Sequence, residues 1–228
     1  MNTTRWRRAL LAGALASAGL IAPHAAGAQA RPMAVGAASR SEDARHLLDW
    51  IVHSNDHAGS AFVIVDKKRA AVLVFDDQAR LRGHSPVLLG SAVGDDTVQG
   101  IGLRPISQVL PEERTTPAGR FAAEPGRNAA GEDVVWVDYD AAVSMHRVRT
   151  GNAAEQRAQR LATASIDDNL ISYGCINVPV PFYESFIRPM FANQRAVVYV
   201  LPDLKPVQQV FGSYPVSVVP QGLRAQAP

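Results

Sequence analysis

The first regular pattern along the chain is that of an amphipathic helix over residues 44–56. The apolar positions of this segment that recur at helical spacing are Leu47, Leu48, Ile51 and Val52. Ser41 stands just before the segment, where a serine side chain can cap the free N–H groups of a helix. The pattern therefore predicts one helix ahead of the remaining elements.

After this helix the pattern becomes that of β-strands. Two β-rich runs, residues 61–65 and 70–75, flank four charged residues and predict a hairpin. Further strands are predicted over residues 85–92, 119–123, 134–138, 142–146 and 195–201. Two further helices are predicted over residues 152–165, where Asn152 and Glu155 fit a capping box, and over 179–192. Because strands and helices do not alternate as βαβ units, the predicted fold class is mainly β with a few helices.

The N-terminal 30 residues have the three-part pattern of a secretory signal peptide. Three arginines precede an apolar run over residues 10–22, and residues 28–30 (Ala-Gln-Ala) fit the small-residue cleavage rule. An ordinary N-terminal helix is the alternative, and the flanking residues fit Sec export better than a twin-arginine signal. We therefore expect export to the periplasm or cell wall. The predicted divisions are a signal peptide over 1–30, a leader and helix over 31–58, a main domain over 59–202 and a tail or covering segment over 203–228.

Charge changes the picture only through the signal peptide. The whole chain has 23 basic and 21 acidic residues, a formal charge of +2. Cleavage removes three arginines and no acidic residue, which leaves 20 basic and 21 acidic residues. Nothing in the mature chain therefore indicates a basic face for nucleic acid. No later apolar stretch is long enough to span a membrane.

The chain has one cysteine, Cys175, so it has no internal disulfide. The alternatives are an intermolecular bridge, an inert buried thiol and a reactive thiol. A reactive thiol needs a base, and His146 is the nearest preceding histidine. Gly174 allows a tight turn that can direct N–H groups at an oxyanion. Asn177, two residues beyond the thiol, would face the same side of a strand and could hold a substrate carboxylate or carbonyl.

The stretch SYGCINV, residues 172–178, resembles the active-site motif of the L,D-transpeptidases, in which Gly-Cys is followed by an aliphatic residue and Arg or Asn. FVIVDKKRAAVLVFDDQARL, residues 62–81, resembles the opening hairpin of that family, and TTPAGRF, residues 115–121, resembles its Thr-Pro-x-Gly-x-Phe segment. The resemblance implies a β-sandwich-like catalytic domain over residues 59–202. Tyr173 stands where the family commonly has a second histidine. The gap between His146 and Cys175 is also longer than is common, which makes residues 152–165 either a lid or an inert insertion.

The resemblance also implies roles for the motif residues. Cys175 would be the nucleophile and His146 the base, and the N–H groups of Gly174 and Cys175 would bind the oxyanion. Ser172 would orient the histidine or the turn. The implied substrate-binding residues are Asn177 and Tyr173.

The implied reaction is acylation of Cys175 by a peptidoglycan stem tetrapeptide. D-alanine is released, and the acyl group passes to an amine of a neighbouring stem without a metal or organic cofactor. Three alternatives stay open. They are a hydrolase acting on the same stems, a sortase-like transpeptidase that lacks the usual sortase frame, and a non-catalytic wall-binding domain.

Overall fold

The computed structural model describes residues 40–192 and 194–216, so the predicted signal peptide lies outside the described residues. The helices are α1 Glu42–Ser54, α2 Arg157–Ala162, α3 Val180–Phe182, α4 Arg188–Phe191 and α5 Val207–Phe211, and a π-helical segment Tyr183–Ile187 joins α3 to α4. The strands are β1 Phe62–Asp66, β2 Ala71–Phe75, β3 Leu81–Pro86, β4 Leu89–Gly90, β5 Gly119–Arg127, β6 Asp133–Asp138, β7 Val143–Arg147, β8 Leu170–Ser172, β9 Ile176–Val178 and β10 Ala196–Val200. Among the described helices, none is long and apolar enough to cross a membrane.

Eight strands form one mixed sheet in the order β3-β2-β1-β10-β5-β6-β7-β9. The pairs β1·β10 and β7·β9 are parallel, and the other neighbours in this sheet are antiparallel. Strands β4 and β8 pair separately in a small parallel sheet. The predicted fold class, mainly β with a few helices, is confirmed.

Two hydrophobic clusters cover opposite faces of the sheet. One cluster joins apolar residues of β1 and β2 with those of β6, β7 and β9 and with the α3–α4 helix, so both ends of the sheet share a single core. The other cluster packs Leu47, Trp50 and Ile51 of α1 against the opposite faces of β1, β2 and β10. Val207 of α5 also belongs to this second cluster. The first part of the predicted tail therefore covers the sheet beside α1.

The elements with strong periodicity lie where the sequence predicts them. The predicted hairpin is β1 and β2, joined by a 3₁₀ turn over Lys67–Arg69. Helix α1 has the predicted cap, since Ser41 Oγ accepts a hydrogen bond of 3.0 Å from the N–H of Ala44. The predicted closing strand is β10. Each of these segments is apolar on at least one face, so its helical or alternating period can be recognised in the sequence.

Two predictions about regular structure are wrong. The strand predicted over residues 85–92 is divided, because β3 ends at Pro86 and β4 comprises only Leu89–Gly90. The helix predicted over residues 152–165 is also divided. A 3₁₀ turn, Ala153–Glu155, is followed by Gln156 at φ 47°, and only then does α2 begin. A left-handed residue cannot continue a right-handed helix, so the two turns remain separate.

Candidate active site

The parallel pairing of β7 with β9 brings His146 and Cys175 together. Met145 is paired with Ile176 and His146 with Asn177. Because side chains alternate along a strand, Met145 and Ile176 point into the core while His146 and Asn177 share the opposite face. Cys175 directly precedes β9, so the sheet itself sets the distance between the predicted base and the predicted nucleophile.

The thiol of Cys175 is partly exposed and lies among polar groups. Its Sγ is 3.7 Å from Ser144 Oγ and 3.6 Å from the carbonyl oxygen of Ala142. Burial alone raises the pKa of this thiol, but a hydrogen bond and charge from His146, together with Ser144, more than offset that effect. The pKa of Cys175 therefore lies below its ordinary value, as a nucleophilic thiolate requires.

The backbone fixes the tautomer of His146. Its Nδ1 lies 2.7 Å from the carbonyl oxygen of Arg147, which can only accept, so Nδ1 carries the proton and Nε2 is the basic nitrogen. Arg147 is itself held in place, because its side chain donates hydrogen bonds to Glu184 at 2.6 Å and to Asp133 at 3.1 Å. The contact between Nδ1 and the Arg147 carbonyl orients the imidazole so that Nε2 is the nitrogen that can exchange a proton with the thiol.

Gly174 supplies the conformation of the turn that presents the thiol. Its φ is 121°, and a Cβ at this position would lie 2.7 Å from the carbonyl oxygen of Thr115. The turn is closed by Ser172, whose Oγ donates to the Cys175 carbonyl at 2.7 Å and accepts from the Gly174 N–H at 3.1 Å. The Gly174 N–H that was predicted as an oxyanion donor is thus engaged by Ser172, and its oxyanion role stays a prediction. Of the two predicted roles for Ser172, these bonds are those of orienting the turn.

Thr116 also holds this turn, although the sequence reasoning assigned it no role. Its Oγ1 donates to the Gly174 carbonyl at 2.9 Å and accepts from the Gly90 N–H at 2.9 Å, and the residue is 2% exposed. The buried ammonium of Lys67 in turn donates to the Thr116 carbonyl at 2.9 Å and to Asp95 at 3.0 Å. In the sequence, Thr116 belongs to the TTPAGRF segment, which resembles a family motif but does not show which groups the threonine contacts.

Asn177 lines the cavity over the thiol and is 1% exposed. Its Nδ2 donates to the Cys175 carbonyl at 3.1 Å, and its Oδ1 accepts from Arg157 Nη1 at 2.7 Å. The substrate-binding role predicted for Asn177 stays a prediction. Its observed contacts connect the nucleophile's backbone to an arginine that the sequence reasoning did not single out.

Tyr173, the other predicted substrate-binding residue, lies at the surface of the site. Its side chain is 38% exposed, and the guanidinium of Arg114 lies over its ring at 4.2 Å from the centroid. This stacking orients the ring and adds a positive charge beside it. The ring therefore stands at the rim of the site rather than against His146 as a second base.

A cavity of about 390 Å³ opens over the thiol. Its lining includes His146, Tyr173 and Cys175, together with Glu155 and Arg157 from the segment between β7 and β8. Asn152, Glu155 and Arg157, from the segment predicted to be either a lid or an inert insertion, form one wall of this cavity. Among the described residues, no cluster of three or more side chains suited to metal binding is present.

Comparison with known proteins gives matches among solved structures alone. No protein-family model and no curated protein sequence matches the chain. The helical cell shape determining protein from Campylobacter jejuni is 17% identical with a TM-score of 0.41, and the match covers 64% of this chain and 49% of that chain. An L,D-transpeptidase from Mycobacterium tuberculosis is 13% identical with a TM-score of 0.38, over 62% and 57% of the two chains.

A third similar structure is the catalytic domain of the E. faecium L,D-transpeptidase. It is 17% identical with a TM-score of 0.34, over 64% of this chain and 99% of that one. Solved structures similar to this chain therefore include L,D-transpeptidases. The match spans about half the length of the first two structures.

Proposed function

We propose that this protein is an exported cysteine acyltransferase that acts on peptidoglycan stem peptides as an L,D-transpeptidase. The observation that carries the proposal is the pairing of Cys175 with His146 at the wall of one cavity. The pKa of the thiol is lowered, and the basic nitrogen of the imidazole is defined by its bond to a backbone carbonyl. Such a pair is suited to acyl transfer through a thioester.

In the first half of the reaction the Cys175 thiolate attacks the carbonyl carbon of the third residue of a stem tetrapeptide. His146 holds the thiol proton and delivers it to the nitrogen of D-alanine as the C–N bond breaks. The products are a thioester on Cys175 and free D-alanine. With the Gly174 N–H occupied, the Cys175 N–H is the oxyanion donor that we propose for the tetrahedral intermediate.

In the second half an amine of a neighbouring stem attacks the thioester, and His146 takes the proton that the amine loses. A second cavity, of about 370 Å³, also reaches His146 and supports this step. Its lining includes Glu132 and Asp133, whose carboxylates are paired with Arg149 and Arg147 of the same lining. The support from this cavity is one of position, since it gives an acceptor its own approach to the base.

Hydrolysis of the same thioester is the second candidate function, because the cavity above Cys175 is open enough to admit water. It would make the protein an L,D-carboxypeptidase with the same nucleophile and base. A sortase-like reaction and a non-catalytic wall-binding role are less well supported. The second of these gives no account of a lowered thiol pKa.

The test is incubation of the purified mature protein with disaccharide-tetrapeptide muropeptides, followed by mass spectrometry of the products. The proposal expects a dimer whose mass is that of two monomers minus one D-alanine, and its absence with Cys175→Ala. Fragmentation of the dimer would identify the acceptor amine. Tripeptide alone would establish the carboxypeptidase. No product, together with a Cys175 that fails to react with a carbapenem, would refute both reactions.

A further inference from the structure

Arg157 is placed in the cavity above Cys175 by the segment between β7 and β8. Its guanidinium lines the cavity, and its side chain is 14% exposed. The oxygen of Asn177 accepts from Nη1 at 2.7 Å, and the same Asn177 side chain donates to the carbonyl of Cys175. A single amide therefore separates the guanidinium from the backbone of the nucleophile.

The segment that carries Arg157 is held in one conformation by its neighbour Arg160. Arg160 Nε donates to the carbonyl of Glu155 at 2.9 Å, and its Nη1 donates to the carbonyl of Asp168 at 3.1 Å. These bonds tie both ends of the turn around α2 together. The position of Arg157 in the cavity is therefore a consequence of ordered backbone rather than of a long side chain alone.

The guanidinium of Arg157 has donors in excess of its observed partners. An arginine has five N–H donors in a planar fork. The contacts of Arg157 within residues 40–192 and 194–216 are Nε with the carboxylate of Glu155 and Nη1 with Asn177. The N–H groups of Nη2 are thus available to an acceptor that enters the cavity. Arg149, which is paired with Glu132, lines the same cavity.

We propose that Arg157 is a specificity-determining residue that binds a carboxylate of the acyl donor, with Asn177 as its positioning residue and the carboxylate of Glu155 as an internal competitor for its donors. The position of Asn177 in the SYGCINV stretch is one where the motif that it resembles carries Arg or Asn. In this chain the amide at that position holds an arginine that another segment provides. The identity of the donor rests on the proposed function, whereas the anion site itself does not.

Two carboxylates of a stem peptide fit this chemistry. One is the terminal carboxylate of the leaving D-alanine, and the other is the free carboxylate of a diamino acid at the third position. Both would accept charge-assisted hydrogen bonds from a planar guanidinium. Substrates in which one or the other carboxylate is converted to an amide distinguish them.

The first experiment needs no peptidoglycan, because the chain has a single cysteine and alkylation therefore reports on Cys175 alone. The thiolate displaces iodide from iodoacetate, an anion, or from iodoacetamide, its neutral counterpart. The ratio of the two rate constants measures how strongly the cavity attracts a carboxylate. Arg157→Gln should lower this ratio about tenfold, the effect of one lost charge-assisted hydrogen bond. The iodoacetamide rate in the denominator accounts for any change in the reactivity of the thiol itself.

Of two further variants, one should change the ratio of the rate constants in the opposite direction and the other serves as a control. Glu155→Gln removes the carboxylate that competes for the Arg157 fork, so the ratio should rise above that of the wild type. Arg195→Gln makes the same charge change at an exposed residue outside the cavity and should leave the ratio unchanged. Equal ratios in the wild type, Arg157→Gln and Glu155→Gln would overturn the anion site, including where Arg157→Gln is poorly folded.

The second experiment measures turnover of muropeptides by the wild type and by Arg157→Gln and Arg157→Lys. Loss of the contact should raise KM, with partial rescue by lysine, and amidation of the recognised carboxylate in the substrate should abolish the difference between the variants. If muropeptides are not consumed but the alkylation ratio depends on Arg157, the proposed function fails and the anion site stands. If muropeptides are consumed and neither KM nor the ratio depends on Arg157, the anion site fails alone.

Discussion

Replacing Thr116 by valine tests whether the turn that presents the thiol depends on one buried hydroxyl. The side chain is 2% exposed, and its Oγ1 joins the Gly174 carbonyl to the Gly90 N–H through two bonds of 2.9 Å. Valine has nearly the same shape as threonine and cannot make either bond. The substitution therefore removes hydrogen bonds without opening a cavity.

The expected cost follows from the two backbone groups left without partners. An unsatisfied buried donor or acceptor costs about 1–3 kcal/mol, so Thr116→Val, which leaves two of them, should lower the free energy of unfolding by about 2–6 kcal/mol. For a protein of this size that corresponds to a fall of about 4–24 °C in the midpoint of thermal unfolding. Because Gly174 directly precedes the nucleophile, the rate of Cys175 alkylation by iodoacetamide should fall as well.

Thr115→Val is the matched control, since it makes the same chemical change one residue away. Its Oγ1 donates to the Asp96 carbonyl at 2.7 Å at an exposed position. Water replaces such a partner readily, so this variant should lie within about 0.5 kcal/mol of the wild type. Thermal melting and alkylation of both variants decide the matter. Equal unfolding temperatures for the two variants would refute the argument that Thr116 supports the turn.

Two further predictions concern titration. The rate of Cys175 alkylation by iodoacetamide should rise with pH through a midpoint below that of an ordinary thiol. His146→Gln should shift this midpoint upward, because burial of the thiol without the histidine raises the pKa of Cys175. An unchanged midpoint would contradict the pairing of His146 with Cys175. The pKa of Asp95 is lowered to about 2, mainly by backbone N–H bonds and Lys67 working against burial. Its contribution, about 2 kcal/mol, should be present above pH 4 and lost as the pH falls towards 2, which acid unfolding of Asp95→Asn would check.

The proposed nucleophile and base could be singled out from the sequence because both are rare residue types in this chain. One cysteine and few histidines left little choice, and the period-2 pattern of β7 made His146 a strand-end residue. The hairpin and α1 were predictable for a similar reason, since each has a buried face with a regular period. For these elements the pattern within a single segment was sufficient to predict the structure.

The rest of the site depends on contacts between segments that are far apart in the sequence. The residues of one segment do not show which other segment they will contact. Arg157 was not separable from its helix neighbours, since only the bond to Asn177 sets it apart. The bond from the Gly174 N–H to Ser172 Oγ could not be predicted, because the acceptor is brought to this N–H only by the folded turn. Strands β8 and β9 escaped prediction because three residues on either side of a glycine turn are too short to show a period.

The buried charges beneath the site are better explained by positioning than by stability. Lys67 and Asp95 are almost fully buried, and Lys67 also donates to the Gly94 carbonyl at 2.5 Å and to Asp203. A buried ion pair gains little over well-packed apolar side chains, since removing both charges from water costs about as much as their attraction returns. An apolar pair could not hold the Thr116 carbonyl, however, and Thr116 holds Gly174. The charges thus link Asp203, through Lys67 and Thr116, to the turn that presents the thiol, which is where a displacement of an ångström would matter most.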